Sequence, residues 1–312
     1  MFRDTLWLIT PLGFAMRSIH LLPLALLLVG CRQVPPAPQE LDELCGYLFA
    51  HYDDEHPEAL EQGLFNLDTW LLDNLEETFE GYSVTNLSEA TVNALDDRAR
   101  NTDAMVGAAV GTQSDHPPYA LGVPQLVADQ EDLYPDAHDY YDRTFLTEPD
   151  CFVDLSCEVA EVQNHIEDTY PIIGAMVIEN HGQYRWIETE KGLAWVQRTW
   201  LDEPTDLEVD WIDIQDQYYL NVLLPYGDGG TLALQSMWVE AYWDGLPVSD
   251  NQAQLLLISQ MQNVYVQLDE YISSEGALEQ PSGCSSTGGT AGLMGLLAML
   301  GAALVGYRRR RD

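Results

Sequence analysis

The chain has 312 residues, enough for one large domain or two, and carries 51 Asp and Glu against 13 Lys and Arg, for a formal net charge of −38. Nucleic acid and anionic lipid surfaces would be repelled by this charge, so neither is an expected partner. The acidity favours adaptation to salt or to an acidic surface over calcium binding, because no complete EF-hand loop is present.

The sequence contains none of the common catalytic signatures. There is no Gly-x-Ser-x-Gly elbow, phosphate-binding loop, dinucleotide fingerprint or His-Glu-x-x-His motif. No catalytic residue and no cofactor are therefore predicted.

The N-terminal segment resembles the signal of a bacterial lipoprotein. Met16-Arg17 is a basic start, Leu21–Val29 has the length of a signal-peptide core, and Leu28–Cys31 resembles a lipobox. The resemblance implies removal of residues 1–30 and lipidation of Cys31. Residues 31–40 are proline-rich and are predicted to form an extended linker between the lipid and the fold.

The C-terminal segment resembles a myxobacterial sorting tag of the MYXO-CTERM type. Its features are Gly283, Cys284, the uncharged apolar run Ala291–Tyr307, and then Arg308, Arg309, Arg310 and Arg311. Such a run closed by basic residues predicts a membrane-spanning helix with its basic end in the cytoplasm. The resemblance implies cleavage near Cys284 by a membrane sorting protease, and an ordinary membrane anchor is the alternative.

Both ends therefore predict an exported protein at the outer membrane or cell surface. Its membrane contacts would be the N-terminal lipid and the C-terminal helix, and two such signals suffice for stable attachment. Residues 276–312 are assigned to a linker, this helix and the basic tail, and a sorting protease would remove the part that follows its cleavage point near Cys284.

Three cysteines remain as disulfide candidates, Cys45, Cys151 and Cys157. An exported chain meets oxidising conditions, so one disulfide is expected. A straight strand over residues 151–157 would place its ends about 20 Å apart, whereas a disulfide needs Cα atoms within about 7 Å. A Cys151–Cys157 bond thus requires a turn near Asp154, and pairing of Cys45 with either cysteine stays open.

The front half of the folded region, residues 41–145, is predicted to be helical. Apolar residues at three- and four-residue spacing predict one helix near Leu41–Phe49 and a second near Leu60–Phe79. A third helix is predicted from about Leu87 to Arg100. Residues 101–150 are assigned to loop and short helix.

The back half, residues 146–275, has the pattern of an antiparallel sheet followed by a helix. Segments rich in aromatic and β-branched residues predict four strands, namely Tyr184–Glu188, Leu193–Leu201, Gln217–Leu224 and Thr231–Trp243. In the second strand, Leu193, Trp195, Gln197 and Thr199 should face one side of the sheet, and Ala194, Val196, Arg198 and Trp200 the other. The turn residues of Pro225–Gly230 predict a hairpin.

A long last helix is predicted over residues 251–272. Ser249 and Gln252 form a capping box at its start. Its apolar stripe consists of Ala253, Leu257, Met261, Val264, Leu268 and Tyr271. The predicted fold class is therefore α+β, with N-terminal helices and an antiparallel meander packed on a C-terminal helix.

This order of elements resembles the end of the helix-grip (START/Bet v 1-like) fold. The resemblance implies a sheet that wraps around the last helix and leaves a cavity for an apolar small molecule. The candidate lining residues are Trp195, Trp200, Trp238, Leu257, Met261 and Val264. A completely filled core is the alternative.

Three clusters of acidic and histidine residues contain side chains that can bind metals, at 51–56, 136–142 and 206–210. A solvated surface is the favoured interpretation of each, because the sequence does not show converging ligands. No metal site is predicted.

Two classes of function remain. A binding or structural surface lipoprotein is preferred, and a hydrolase-like surface enzyme with a carboxylate or metal site is the alternative. An apolar pocket would favour the first class, and a polar cleft with paired carboxylates the second.

Overall fold

The structure is a computed structural model that describes residues 35–281, except 54–56, 76–77, 129, 131–132, 135–138, 171–173, 245–247, 277 and the side chains of Tyr170 and Glu275. The predicted lipobox, sorting tag and helix at Ala291–Tyr307 lie outside these residues. Within the described ranges, no helix combines the length and the apolarity that crossing a membrane requires.

Six α-helices are present in the described residues. They are α1 Leu41–Ala50, α2 Glu58–Asp73, α3 Glu89–Val92, α4 Pro118–Gly122, α5 Pro149–Val153 and α6 Asp250–Glu275. Two short 3-10 helices lie at Thr78–Glu80 and Val123–Leu126. The predicted capping box of α6 is confirmed, since Ser249 and Gln252 each bond the other's backbone N–H.

The strands form one antiparallel sheet. They are β1 Tyr82–Ser83, β2 Met105–Ser114, β3 Tyr140–Phe145, β4 Val159–Tyr170, β5 Gly174–Thr189, β6 Gly192–Leu201, β7 Asp206–Leu207, β8 Ile212–Tyr226 and β9 Gly230–Trp243. The strand order is β1-β2-β9-β8-β6-β5-β4-β3, with β7 paired to β5. The four predicted strands and the β8–β9 hairpin are confirmed.

One face of the sheet is covered by α1 and α2. The alternation predicted for β6 is confirmed, because Ala194, Val196 and Trp200 share a core with Leu44, Leu48, Leu64 and Leu67 of these helices. The same parity holds along β8, where Tyr218, Leu220, Val222 and Leu224 point into this core. We call it the N-terminal-helix core.

The opposite face carries α4, α5 and α6. Trp195, Leu223 and Ala233 of the sheet pack there with Tyr265, Leu268 and Ile272 of α6. A smaller cluster joins Leu257 and Met261 of α6 to Ala108 and Val110 of β2 and to Met237 of β9. The predicted stripe of α6 is therefore the face that packs on the sheet.

The prediction of a helical region through residue 145 is wrong in two places. Residues 105–114 form β2, which pairs along its whole length with β9, and residues 140–145 form the edge strand β3. β2 was not predicted because its small residues are not typical of strands. The packing around β2 nevertheless requires small residues at these positions. A Cβ on Gly107 would lie 2.6 Å from the Trp238 ring, and one on Gly111 would lie 2.9 Å from Thr78.

The third predicted helix is also shorter than expected. Only Glu89–Val92 is helical, with the Ser88 side chain accepting a hydrogen bond from the Thr91 N–H. The segment after it is held by ion pairs instead. Arg100 is buried and pairs with both Asp96 and Asp216, and Arg98 also pairs with Asp216.

The disulfide joins Cys151 to Cys157. The required turn follows α5, with Leu155 at φ 64°, and it brings the two Cα atoms to 5.3 Å. Cys45, the other candidate, is fully buried in the N-terminal-helix core, where desolvation raises the pKa of its thiol to about 12. Its burial keeps it from either partner.

Replacement of Trp238 by Ala should strongly destabilise the protein. Trp238 is fully buried, packs edge-on against Phe49, and donates its indole N–H to the Thr85 carbonyl at 2.9 Å. We expect a loss of about 3–5 kcal/mol in the free energy of unfolding, measured by urea denaturation. Trp211→Ala is the matched control, because Trp211 is only half-buried, and it should cost much less. Equal losses in the two variants would contradict this packing.

Candidate functional site

A cavity of about 740 Å³ lies between the sheet and α6, along residues 253–270 of the helix. Aliphatic side chains from four strands supply most of its apolar surface, namely Ile166, Met176, Ile178, Ile212, Ile214 and Val239. Leu257 and Val264 of α6 face them across the space. Leu256 and Val266 also line the cavity and are more than 40% exposed, so an apolar rim connects it with solvent.

A second space of about 160 Å³ lies beside the first, over the middle of the sheet. The two spaces share Ile166, Asn180, Gln217, Gln260 and Val264 as lining residues. They are therefore neighbouring parts of one groove. We call the larger space the apolar part and the smaller space the polar part.

The polar part is lined by amides, phenols and one arginine. Arg143 of β3 and Asn164 of β4 stand side by side, with Arg143 Nε donating to Asn164 Oδ1 at 2.8 Å. Asn164 Nδ2 then donates to Asn180 Oδ1 on β5 at 2.6 Å. The Tyr141 and Tyr184 hydroxyls stay protonated, because burial raises their pKa.

The Arg143 guanidinium is buried, and within the described residues all its hydrogen-bond acceptors are neutral. Nη1 donates to the carbonyls of Gln125 and Val127, at 2.6 and 3.2 Å. Nη2 donates to the Tyr141 hydroxyl at 2.6 Å. An arginine keeps its charge in such a site, so the polar part carries a positive charge that these neutral contacts do not neutralise.

Gln235 of β9 adds a buried acceptor to the polar part. Its side-chain Oε1 is buried and finds no hydrogen-bond partner within the described part of the chain. A buried amide oxygen is costly to leave unpaired. A space of this size holds about five water molecules at roughly 30 Å³ each, so water or a ligand group can supply the missing donor.

The six predicted pocket residues divide into two groups. Leu257 and Val264 line the apolar part, and Met261 and Val264 line the polar part. Trp195 instead packs among Phe152, Tyr184 and Trp186. Its ring lies so close to Gly122 that a Cβ there would clash with it. Trp195, Trp200 and Trp238 fill the core and do not line the groove, whereas Trp243 lines its apolar part.

Trp200 and Trp238 lie on the other face of the sheet, in the N-terminal-helix core. Trp200 stacks on His181 with ring centroids 4.5 Å apart. Their strand parity decides this placement, since both point away from α6. Four residues of the polar part were not predicted from the sequence, namely Arg143, Asn164, Asn180 and Gln235. A usable signal existed for Asn164, because it alternates with the buried Val162 and Ile166 and so faces the same side of β4.

The described residues contain no group of three or more His, Cys, Asp or Glu side chains that could hold a metal ion. Asp54, Glu55 and His56 of the first predicted cluster fall in a gap of the described ranges, as do Asp136 and His138 of the second. Asp206 belongs to β7, and Glu208 accepts a hydrogen bond from the Ala175 N–H at 3.0 Å.

A histidine lies on the outer surface of the groove wall and connects two of its strands. His165 of β4 hydrogen-bonds Glu179 of β5 and, at 3.2 Å, Glu167. Hydrogen bonding to Glu179 and then to Glu167 raises the pKa of His165 above its usual value. These carboxylates therefore favour the charged imidazolium on the surface opposite Ile166 and Ile178.

No protein-family model matches the chain, and no curated protein sequence matches it. Solved structures do align with it. A START superfamily protein from Mycobacterium smegmatis aligns at 13% identity and a TM-score of 0.35, over 55% of this chain and 99% of the other. The human StarD13 lipid transfer and protein localization domain aligns at 12% identity and a TM-score of 0.34, over 64% and 95%.

A STAR-related lipid transfer protein from Xanthomonas axonopodis aligns at 9% identity and a TM-score of 0.35, over 56% of this chain and 97% of the other. The α+β architecture of this chain is defined by its own elements, an antiparallel sheet with a long C-terminal helix against one face. The groove is the cavity that was expected between that sheet and helix.

The His165 contacts should make stability depend on pH. The imidazolium is favoured in the folded state, so its contribution is complete below the unfolded pKa of about 6.5 and is lost as pH rises through the raised folded pKa. His165→Gln should therefore destabilise the protein more at about pH 5.5 than at about pH 8.5. Urea denaturation of both proteins at the two pH values measures this.

Glu179→Gln tests the same contact from the other side. If Glu179 holds the proton on His165, His165→Gln should show a smaller pH dependence in the Glu179→Gln background. An unchanged difference between the two pH values in both backgrounds would contradict the assignment.

Proposed function

We propose that this protein binds an apolar or amphipathic small molecule in the groove between the sheet and α6, as a helix-grip-like binding protein. The observation that carries the proposal is the apolar part of the groove. Its volume of about 740 Å³ falls within the roughly 300–1,000 Å³ of small-molecule sites. Its lining is mainly aliphatic, which favours a lipid-like ligand over a soluble polar substrate.

The attachment of α6 further supports a binding groove. Gln254 Nε2 donates to Ser83 Oγ at 2.7 Å, and Gln262 Nε2 donates to the Phe79 carbonyl at 2.6 Å. Ser114 Oγ donates to Asp269 at 2.9 Å. These bonds tie the helix to the β1–β2 side of the sheet, while the cavity extends from β2 across β9 and β8 to β4 and β5. The helix is thus fixed along one side of the space that it covers.

The lining also bears on the alternative of a surface enzyme. Aliphatic and amide side chains supply most of the described lining, and these groups do not perform acid–base or nucleophilic chemistry. Asp168 of β4 and Glu270 of α6 are the two carboxylates among the lining residues of the apolar part. The binding function is therefore preferred over a hydrolase.

We also propose that the protein is exported and anchored at the cell surface, with the mature chain beginning at a lipidated Cys31. Support comes from the lipobox-like Leu28–Cys31 and from the tag-like segment with Gly283, Cys284 and the terminal arginines. A membrane attachment would place the groove near a source of lipid. The membrane and a sorting protease are the partners that this proposal requires.

A bulky side chain in the apolar part should abolish ligand binding. Ile178→Trp occupies part of the space and obstructs a bound molecule, so native mass spectrometry of the full-length protein should show a co-purified small molecule in the wild type and less in the variant. Val177→Trp is the matched control, because neighbouring strand residues point to opposite faces and Val177 does not line the cavity. A wild-type mass without any bound molecule, after exposure to a lipid extract, would contradict the proposal.

Substitution of Cys31 tests the lipid anchor. Metabolic labelling with palmitate should mark the wild-type protein and leave Cys31→Ser unlabelled, because the lipid needs the thiol. Equal labelling of the two proteins would exclude Cys31 as the attachment site.

A further inference from the structure

We propose that the ligand is an anionic amphiphile whose carboxylate lies in the polar part of the groove, next to Arg143, while its hydrocarbon body fills the apolar part. The inference rests on the proposed binding function and names the class of ligand. A sterol, an alcohol or another uncharged lipid would satisfy the apolar part alone. The charge of Arg143 distinguishes between these classes.

The first argument is that most other cations in the described part of this acidic chain pair with a carboxylate. Arg185 is an exception, since it donates to the Tyr52 carbonyl on the other face of the sheet. Arg98 and Arg100 pair with Asp216, Lys191 pairs with Asp68, and Arg198 pairs with Asp53. Arg143 differs, because its acceptors within the described ranges are two carbonyls, an amide oxygen and a hydroxyl. The chain has 51 acidic residues, yet the hydrogen-bond acceptors of this buried cation among the described residues are all neutral. A ligand anion can supply the missing countercharge.

The second argument is the geometry of the guanidinium. Its five N–H groups meet four acceptors, with Nε and both N–H groups of Nη1 directed at Asn164, Gln125 and Val127. Nη2 uses one N–H for Tyr141, and no acceptor within the described part of the chain takes the other, which can therefore bond a ligand. The site can therefore offer one charged hydrogen bond, which suits a small anion better than a large head group.

The third argument is the room and the polar lining beside Arg143. The polar part measures about 160 Å³ and borders the apolar part directly. Asn180, Gln197 and Gln235 line it as well, so amide donors surround the position of a carboxylate. A water molecule that hydrogen-bonds the head group can then also donate to Oε1 of Gln235, which has no partner within the described residues. A small anionic head with some water fits this space.

The test compares ligands of equal chain length that differ only in the head. Oleate, oleyl alcohol and 1-oleoyl-lysophosphatidate are titrated into the full-length protein at about pH 8, where a carboxylate is ionised. The wild type should bind oleate at least about tenfold more tightly than oleyl alcohol, as expected for a hydrogen bond to a charged group. Tighter binding of the lysophosphatidate than of oleate would overturn the choice of a carboxylate.

Arg143→Gln should reduce oleate affinity at least about tenfold and leave the affinity for oleyl alcohol nearly unchanged. Arg143→Lys should retain part of the preference for oleate, since it retains the charge. Arg185→Gln is the matched control. Arg185 also hydrogen-bonds a neutral carbonyl, that of Tyr52 at 2.6 Å, but it lies on the other face of the sheet. It should leave the preference for oleate intact.

A spectroscopic readout separates ligand contact from a purely structural role. With oleate labelled by carbon-13 at the carboxyl, the chemical shift follows ionisation of the bound head group. A nearby cation should lower the pKa of the bound carboxyl by about 1–3 units relative to the same ligand in Arg143→Gln. If that variant fails to fold, the wild-type preference and the pKa of its bound oleate relative to free oleate decide the question.

The outcomes are distinct. Equal binding of oleate and oleyl alcohol by the wild type would overturn the anionic ligand and leave the proposed function standing. Failure of all three ligands to bind would instead count against the proposed function itself. A preference for oleate that persists in Arg143→Gln would overturn the role of Arg143.

Discussion

The structure depends on the two-residue alternation of the central strands β6, β8 and β9, whose two faces must both be buried. Along β8, Tyr218, Leu220, Val222 and Leu224 enter the N-terminal-helix core. The intervening Gln217, Tyr219 and Leu223 point toward α6 and its neighbours. The alternation is interrupted by a register shift in β8 between Ile214 and Asp216, and Ile212 and Ile214, before the shift, line the groove. Elsewhere in these strands, the register assigns each side chain to one of the two layers.

The two layers are packed differently. The N-terminal-helix core is filled by leucines and aromatic rings, with Trp238 and Phe49 in edge contact. On the other face, aromatic packing is concentrated near α4 and α5, where Trp186 and Trp195 meet Phe152. Along residues 253–270 of α6, the strands present mostly aliphatic and amide side chains, and the groove remains open there. The groove is therefore a consequence of where the large residues are placed.

The chain has few cations, and the buried arginines make contacts that connect distant segments. Arg100 holds the irregular segment before β2 against the sheet through Asp216. Arg198 joins Asp53 and the Phe49 carbonyl at the end of α1 to β6, and burial lowers its pKa to about 10. Arg143 lies on the other side of the sheet, beside the polar part of the groove. A buried charge requires compensation. Carboxylates supply it for Arg100 and Arg198, whereas the described hydrogen-bond acceptors of Arg143 are neutral.

The sequence by itself determined the helices α1, α2 and α6, the capping box and the β8–β9 hairpin, because periodicity, caps and turn residues act over a few neighbouring positions. It also determined that the two sets of residues on β6 face opposite sides. It did not identify β2, whose glycines and alanines are explained only by the approach of Thr78 and Trp238 from distant parts of the chain.

Only the tertiary structure decided which face each tryptophan occupies relative to α6, which cysteines pair, and that Arg143, Asn164, Asn180 and Gln235 meet at one place. These residues come from β3, β4, β5 and β9, and the strand order brings them together beneath one helix. Local sequence records the parity of a residue on its strand, but the pairing of strands that are far apart in the chain decides its neighbours.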